Sequence, residues 1–465
     1  MFKCLKFQAK APSRSVVLVS NFKDKKKAFD YFTSFKLDLK NINEPETLSQ
    51  PRTVLLDRNS HLILTQAKLE ARDNLDQGGK VFLEAGEVKE ITFIFDPQVT
   101  ESQARNILEG FFSSLYKFDP NLTEFRKSLQ TVVIYSNRAF EEKAFYPTYF
   151  TALHKWCCEM PYNLRDPEKI VGIFNSLAKE FKVPLEVMDK KALASRKYAG
   201  VLAVAGDAPA YVLKSALLTD KSKPKTAFLG KGICFDSGGL QIKPDEGMKH
   251  MRYDSTGASL AFFSLLSAKT LELPVNLEVY LGLTANLISQ NSYKPGDLIK
   301  MRNGVFIQVD HTDAEGRIVL ADLLITAQEN KCKQLFTLAT LTGGVRVGLG
   351  ILHGGFFSTD DAVAKQLEES GKEVGEYIWR LPLDENYAKH LRKSDKVISN
   401  VGALRYGSPI TGAMFLKSFV YEKNVSFNHL DLAGVAWHER KIFAHLGEGA
   451  TGFGVRLFSN FLSKI

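Results

Sequence analysis

Short apolar runs of strand character alternate along the chain with segments whose apolar residues recur at helical spacing. In the N-terminal third, Val16–Val19, Val54–Leu56, Leu62–Leu64, Ile91–Phe95 and Val132–Tyr135 read as strands, and Glu101–Tyr116 and Lys25–Phe35 as helices. An aromatic-rich helix is predicted from Phe140 to Glu159, and the break Met160-Pro161-Tyr162-Asn163 ends it. A helix at Pro167–Phe181 leads to a strand at Leu185–Met188, and Tyr198–Ala205 and Ala210–Leu217 continue the strand-rich pattern. Farther on, Val305–Val309 and Leu335–Ala339 read as strands. Two stretches, Ile318–Ala327 and the run from Asp254 to Leu271, are apolar on nearly every face, the pattern of helices buried inside a large core. The alternation predicts an α/β protein of two domains, a smaller one at residues 1–145 and a larger one at residues 146–465.

Composition changes this picture little. A chain of 465 residues is long enough for two domains with real cores, and 45% hydrophobic with 24% charged residues is ordinary for a soluble globular protein. No apolar run approaches the roughly 18–20 residues that span a bilayer, so no membrane association is expected. Lys3, Lys6, Lys10 and Arg14 are interleaved with isolated apolar residues and no secretory h-region, which points to the cytoplasm. The basic, acid-free start also fits a transit peptide, less simply because a strand follows so soon. The cysteines, Cys4, Cys157, Cys158, Cys234 and Cys332, form no C-x-x-C pair and read as reduced thiols. A formal charge of +9 permits contact with nucleic acid, giving a DNA-binding or regulatory role as the alternative function. The lysine runs at Lys23–Lys27 and Lys221–Lys225 lack interleaved aromatics and are more simply solvated faces.

The chemistry concentrates at three places. In Val309-Asp310-His311-Thr312-Asp313-Ala314-Glu315-Gly316-Arg317, two carboxylates and a guanidinium sit between a strand and the buried helix, at the carboxyl end where open α/β sheets bind ligands. Alone, the pair would be a helix cap, with Thr312 or Asp313 as the capping residue, beside an Asp/Arg surface pair. Charge held at the mouth of a core must otherwise be paired or coordinate a metal. The second place, Gly230-Lys231-Gly232-Ile233-Cys234-Phe235-Asp236-Ser237-Gly238-Gly239 with Lys243 beyond it, lets backbone approach a ligand closely but has neither phosphate-loop nor dinucleotide spacing. The glycines from Gly343 to Gly350 also have the wrong spacing for a dinucleotide turn. The third, Met251-Arg252-Tyr253-Asp254, puts another acid at the head of an apolar helix, where the macrodipole alone would favour it.

Together with Lys294-Pro295-Gly296-Asp297, Ala339-Thr340-Leu341-Thr342-Gly343 and His429-Leu430-Asp431-Leu432-Ala433-Gly434, these motifs occur in the order that resembles the leucine aminopeptidase (cytosol aminopeptidase) family of two-metal peptidases. The resemblance covers residues 150 to 460 and implies a catalytic domain with a mixed central sheet flanked by helices. It implies two divalent ions per subunit, zinc foremost with Mn, Mg or Co as alternatives, and a bicarbonate. Asp236 and Glu315 are implied as bridging ligands, Lys231 and Asp254 as completing the tighter site and Asp313 the more exchangeable one. Lys243 and Arg317 are implied as catalytic residues off the metals, with Arg317 and Leu341 at the bicarbonate. Met251, His311, Thr340, Gly343, Ala433 and Ala436 are implied at the substrate, with Met251 and Ala436 lining the first-residue pocket. The implied activity is release of N-terminal residues, bulky apolar ones preferred, by a homohexamer built as a dimer of trimers.

This assignment is chemically coherent. Paired cations need bridging carboxylates, and a lysine can ligate only as a neutral amine, its pKa depressed by burial and the adjacent dications. Three positions depart from the family's pattern: His311 replaces the usual asparagine, Thr256 a glycine or another small residue, and Gly452-Phe453-Gly454 a Gly-Arg-Pro.

Overall fold

The computed structural model describes residues 15–20, 52–57, 60–85, 90–128, 133–137, 140–404 and 406–465. The expected helix at Lys25–Phe35 and Cys4 lie outside the described residues. The chain divides into two compact units. The first takes Met1–Ala152 together with Lys372–Glu376 and Glu439–Gly449, and the second takes the remainder.

In the first unit a five-stranded sheet runs in the order Arg52–Asp57, Ser60–Gln66, Ser15–Ser20, Glu90–Phe95, Val133–Ser136. All its pairings are parallel except that between the first two. The helix Glu101–Ser114 starts with a capping box, in which Thr100 and Gln103 satisfy each other's backbone amides. It packs on the helix Ala71–Ala85 so closely that a Cβ on Gly78 would lie 2.0 Å from the Ile107 carbonyl oxygen.

The second unit is built on an eight-stranded sheet in the order Ile378–Arg380, Gly354–Ser358, Ser426–Asp431, Gln334–Ala339, Thr226–Asp236, Asn276–Asn286, Tyr211–Leu218, Leu185–Met188. The four strands from Ser426–Asp431 to Asn276–Asn286 are mutually parallel, and both flanks turn antiparallel, so the sheet is mixed. Strands buried on both faces read as continuous apolar runs, which is why Thr226–Asp236 and Asn276–Asn286 show no alternation. The two all-apolar segments are the helices Thr256–Thr270 and Gly316–Glu329, buried from Thr256 through Ala268 and from Gly316 through Gln328. Among the described residues no helix is long and apolar enough to cross a membrane.

Two expectations need correction. Tyr198–Ala205 is not a strand: Ala199–Ala205 is a helix, and Asp322 Oδ2 accepts from the Val201 amide 2.9 Å away, satisfying a donor of its first turn. Nor do Thr312 and Asp313 cap the second buried helix. Its N-cap residue is Glu315, which makes no side-chain capping bond, because the acids here are engaged with other partners.

The second unit also contains a three-stranded sheet. Phe306–Gln308 is its centre, antiparallel to Leu298–Lys300 and parallel to Val397–Ser399.

Candidate metal centre

The main sheet delivers the first two groups. Lys231 sits within the strand Thr226–Asp236, and Asp236 ends it past a register shift against Asn276–Asn286. The chain then turns through Gly238 and Gly239, with φ of 86° and 66°, a conformation that favours glycine. This turn brings Lys243 back over the strand end, its amide donating to the Ser237 carbonyl at 2.9 Å. Asp254 lies in the 3₁₀ turn Met251–Ser255 ahead of the first buried helix, and Glu315 stands at the head of the second.

These side chains converge. One oxygen each from Asp236, Asp313 and Glu315 lie within 4.8 Å of one another. Lys231 Nζ is 2.8 Å from Asp254 Oδ2 and 2.8 Å from Glu315 Oε1, and it donates to the Thr340 carbonyl at 2.9 Å. The helix can pass this amine only because residue 316 is glycine: a Cβ there would lie 2.5 Å from Lys231 Cδ and 2.8 Å from Nζ. Lys243 Nζ is 2.8 Å from Asp236 Oδ2 and also donates to Asp313 Oδ1. Asp236 Oδ1 accepts from the Gly238 amide at 2.9 Å and from Asn286 Nδ2 at 2.8 Å. Asp254 Oδ1 accepts from the Thr340 hydroxyl at 2.7 Å.

Four carboxylates thus face two ammonium groups, which leaves a buried excess of negative charge. Burial alone would lower the pKa of Lys231, but Asp254, Glu315 and Asp236 outweigh it and hold the amine protonated well above its usual range. The same balance raises Lys243, with Asp236 the strongest of its acidic neighbours. Asp254 is pushed well above the carboxylate range, by burial first and then by Asp236 and Glu315 against the opposing pull of Lys231. The coordinating, neutral state expected of Lys231 is therefore not its state in the chain's own field, and only added cations could displace its proton.

The donor set fits divalent metal. Glu315 Oε2 is buried without a hydrogen-bond partner, and Asp254 Oδ2 accepts no hydrogen bond despite its ion pair with Lys231. Buried carboxylate oxygens short of hydrogen bonds, in a cluster where acids outnumber lysines, are what hard or borderline cations bind.

The remaining expected residues surround this centre. Arg317 Nη1 donates to the Asn400 carbonyl at 2.6 Å, whereas its Nε is buried and unpartnered. The Leu341 amide is committed to Asp431 Oδ1 at 3.0 Å, so what Leu341 can offer an anion is not that group. Thr340 spends its hydroxyl on Asp254 and its carbonyl on Lys231. Gly343 opens the helix Gly343–Leu349, where a Cβ would meet nothing within 4 Å. The Ala433 amide is held by Asp431 Oδ1 at 3.2 Å. Ala436 is buried beside Trp437, whose ring stacks on His250 and Tyr253 at 5.0 and 5.8 Å, so the segments bearing Met251 and Ala436 pack together. His311 Nδ1 accepts from the Asp313 amide at 3.1 Å, giving this departure from the family's pattern a local role.

Sequence reasoning missed Asn286 and Asn400, and gave Thr312 and Asp431 no role at the site. Thr312 donates to the Gly238 carbonyl at 2.6 Å and accepts from the Gln241 amide at 2.9 Å, tying the two ligand loops together. A buried asparagine closing the strand Asn276–Asn286, after the largely apolar run of residues 279–285, was the available signal, since a buried amide must find partners.

Residues 152–459 match the cytosol aminopeptidase family, catalytic domain. A probable cytosol aminopeptidase of Chlamydia felis is 40% identical over 304 residues, 64% of this chain and 60% of that protein. The chain thus spans 60% of the length of this relative. One of Aquifex aeolicus, likewise described as probable, is 33% identical over 375 residues, 79% of this chain and 76% of that protein. Among solved structures, the bottromycin maturation enzyme BotP in complex with Mn superposes with a TM-score of 0.84 at 24% identity, covering 97% of this chain and 99% of that one, a likeness of fold. With its catalytic-domain match spanning most of the sequence, this chain belongs to the cytosol aminopeptidase family.

Proposed function

We propose that the chain is a metal-dependent aminopeptidase that releases N-terminal residues from peptides, preferring leucine and other bulky apolar side chains. The observation that carries this reading is the convergence of Asp236, Asp313 and Glu315 beside the Lys231–Asp254 pair, in a pocket with more buried negative than positive charge. Asp236, Glu315, Lys231, Asp254 and Asp313 would together hold the ions. Two divalent ions, zinc or else Mn, Mg or Co, would supply Lewis acidity, a water acidified towards neutral pH and an anchor for the free α-amino group of the substrate.

The chain's own groups do the rest. Lys243, kept cationic by its acidic neighbours, is the donor that polarises the scissile carbonyl and stabilises the developing oxyanion. Arg317 would hold a bicarbonate through its unpartnered Nε at the head of a helix, with Leu341 alongside. The pocket beside Met251 and Ala436 takes the first side chain, and the small Ala436 leaves it roomy. The proposed assembly is a homohexamer, a dimer of trimers, in the cytoplasm; a monomer in sedimentation at micromolar concentration would overturn that assignment.

Chelation of purified protein, followed by metal analysis and assay on a panel of aminoacyl amides, tests the reading. Activity on leucine amide should vanish with the metal and return with Zn, Mn or Co, and N-acetylated leucine amide should resist cleavage throughout. Full turnover by metal-free protein would refute the mechanism, and preference for small or acidic residues over Leu, Met and Phe would refute the pocket.

A further inference from the structure

The loop that carries Asp313 and Glu315 leaves the small sheet at Gln308, and the neighbouring strand ends at the same level. Val397–Ser399 pairs in register with Phe306–Gln308, and the next amide, Asn400, donates to the Gln308 carbonyl at 3.0 Å. There the backbone ladder stops and the Asn400 side chain takes over. Its Oδ1 accepts from the amides of Asp310 and His311 at 2.8 and 3.1 Å. Its Nδ2 donates to the carbonyls of His311 and Ala314 at 2.6 and 3.4 Å. Its own carbonyl accepts from Arg317 Nη1 at 2.6 Å. Asn400 is fully buried.

One residue therefore grips the loop on both of its hydrogen-bonding faces and aims the guanidinium that follows it. Buried amides satisfied on both donor and acceptor sides hold geometry tightly, since any slip strands a polar atom out of water. Across the loop, Thr312 is tied to the Gly238–Gln241 segment, and on the near side Ser399 and Lys393 hold the Asp310 carboxylate, so what Asn400 adds is the grip on the backbone of the turn from Asp310 to Ala314. Supporting hydrogen bonds of this kind, one step removed from the ion, commonly change metal affinity by roughly 10–100-fold.

We propose that Asn400 is a positioning residue: its carboxamide fixes the Asp310–Ala314 turn so that Asp313 and Glu315 meet Asp236, and its carbonyl orients Arg317. This rests on the metal-dependent reading above, and it concerns the affinity of the pocket for cation as well as turnover.

The test compares wild type, Asn400→Ala and Asn400→Asp in the full chain, titrating metal-free protein with Mn²⁺ by equilibrium dialysis and following melting in parallel. Asn400→Asp keeps the acceptor for Asp310 and His311 but turns a second oxygen towards the His311 and Ala314 carbonyls. Both variants should stay folded at the titration temperature and bind the weaker Mn²⁺ at least about tenfold less tightly. At saturating Mn²⁺, kcat on leucine amide should fall about tenfold or more with KM within twofold, reflecting a loosened Asp310–Ala314 turn that displaces Asp313 and Glu315 rather than lost substrate contacts. Mn²⁺ isotherms within twofold of wild type in a folded variant overturn the proposal. Failure of both variants to fold also overturns it, by making Asn400 a residue of the fold rather than of the site. If wild type binds no Mn²⁺, it is the metal-dependent reading that fails.

Discussion

Replacing Lys231 with methionine keeps the length and bulk of the side chain while removing its charge. Lys231 Nζ has two carboxylate oxygens at 2.8 Å and the Thr340 carbonyl at 2.9 Å, and the residue is 3% exposed. Breaking one buried ion pair by deleting a partner costs about 3–5 kcal/mol, because the surviving charge stays desolvated. Stranding the Thr340 carbonyl adds about 1–3 kcal/mol. Partial protonation of Asp254, already held well above the carboxylate range, offsets some of this, so about 3–5 kcal/mol is expected overall. For a unit of this size that corresponds to a fall of roughly 5–15 °C in the melting transition of the metal-free protein. Calorimetry in the presence of chelator, repeated with saturating Mn²⁺, measures it. The gap to wild type should narrow with metal, since divalent charge compensates the same carboxylates. Equal melting of the two metal-free proteins, or a gap that metal leaves unchanged, would show that the lysine is not what neutralises this pocket.

Lys243→Ala should retain metal content while kcat falls about 10²–10³-fold, as for other lost oxyanion donors; loss of metal in parallel with activity would contradict its place off the metals. Gly316→Ala would set a Cβ 2.5 Å from Lys231 Cδ in a buried site, so the melting temperature should fall and kcat/KM should drop about 10–100-fold, and wild-type melting with wild-type kinetics would count against the close approach. Burial raises Asp322 to about 7, more than Arg302 and the Val201 and Gly200 amides lower it. Because its folded pKa lies above its unfolded one, stability should drop as pH rises from about 4 to 7 and then level off, and Asp322→Asn should flatten that slope in melting-versus-pH curves. An unchanged slope would remove Asp322 from the account.

The parts of the site set by local chemistry were legible in the sequence, and those set by packing were not. Acids at a strand end ahead of an all-apolar segment singled out Asp313 and Glu315 as charge at the mouth of a core, though alone they read as a helix cap and only the order of the surrounding motifs implied a ligand role. Ala199–Ala205 is a short apolar run with no period to distinguish helix from strand, and what satisfies its first turn is Asp322, far away in sequence. The helix Ala71–Ala85 carries Gly78 and Gly79, which weaken its signal, yet Gly78 is where the Glu101–Ser114 helix approaches. Asn400 looks like an ordinary turn residue until its four side-chain hydrogen bonds are seen.

The enclosure of the Thr256–Thr270 and Gly316–Glu329 helices makes their backbone amides slow to exchange with solvent. Backbone amides sealed on every side meet deuterium only when the whole unit opens, so these two segments belong to the last part of the chain to loosen. Asp254 and Glu315 stand at their heads, whereas Asp313, with 27% of its side chain exposed, rides on the loop in front. The acids at the helix heads are therefore expected to keep their places through fluctuations that already move the loop carrying Asp313, and deuterium uptake should appear in that loop long before it reaches either helix.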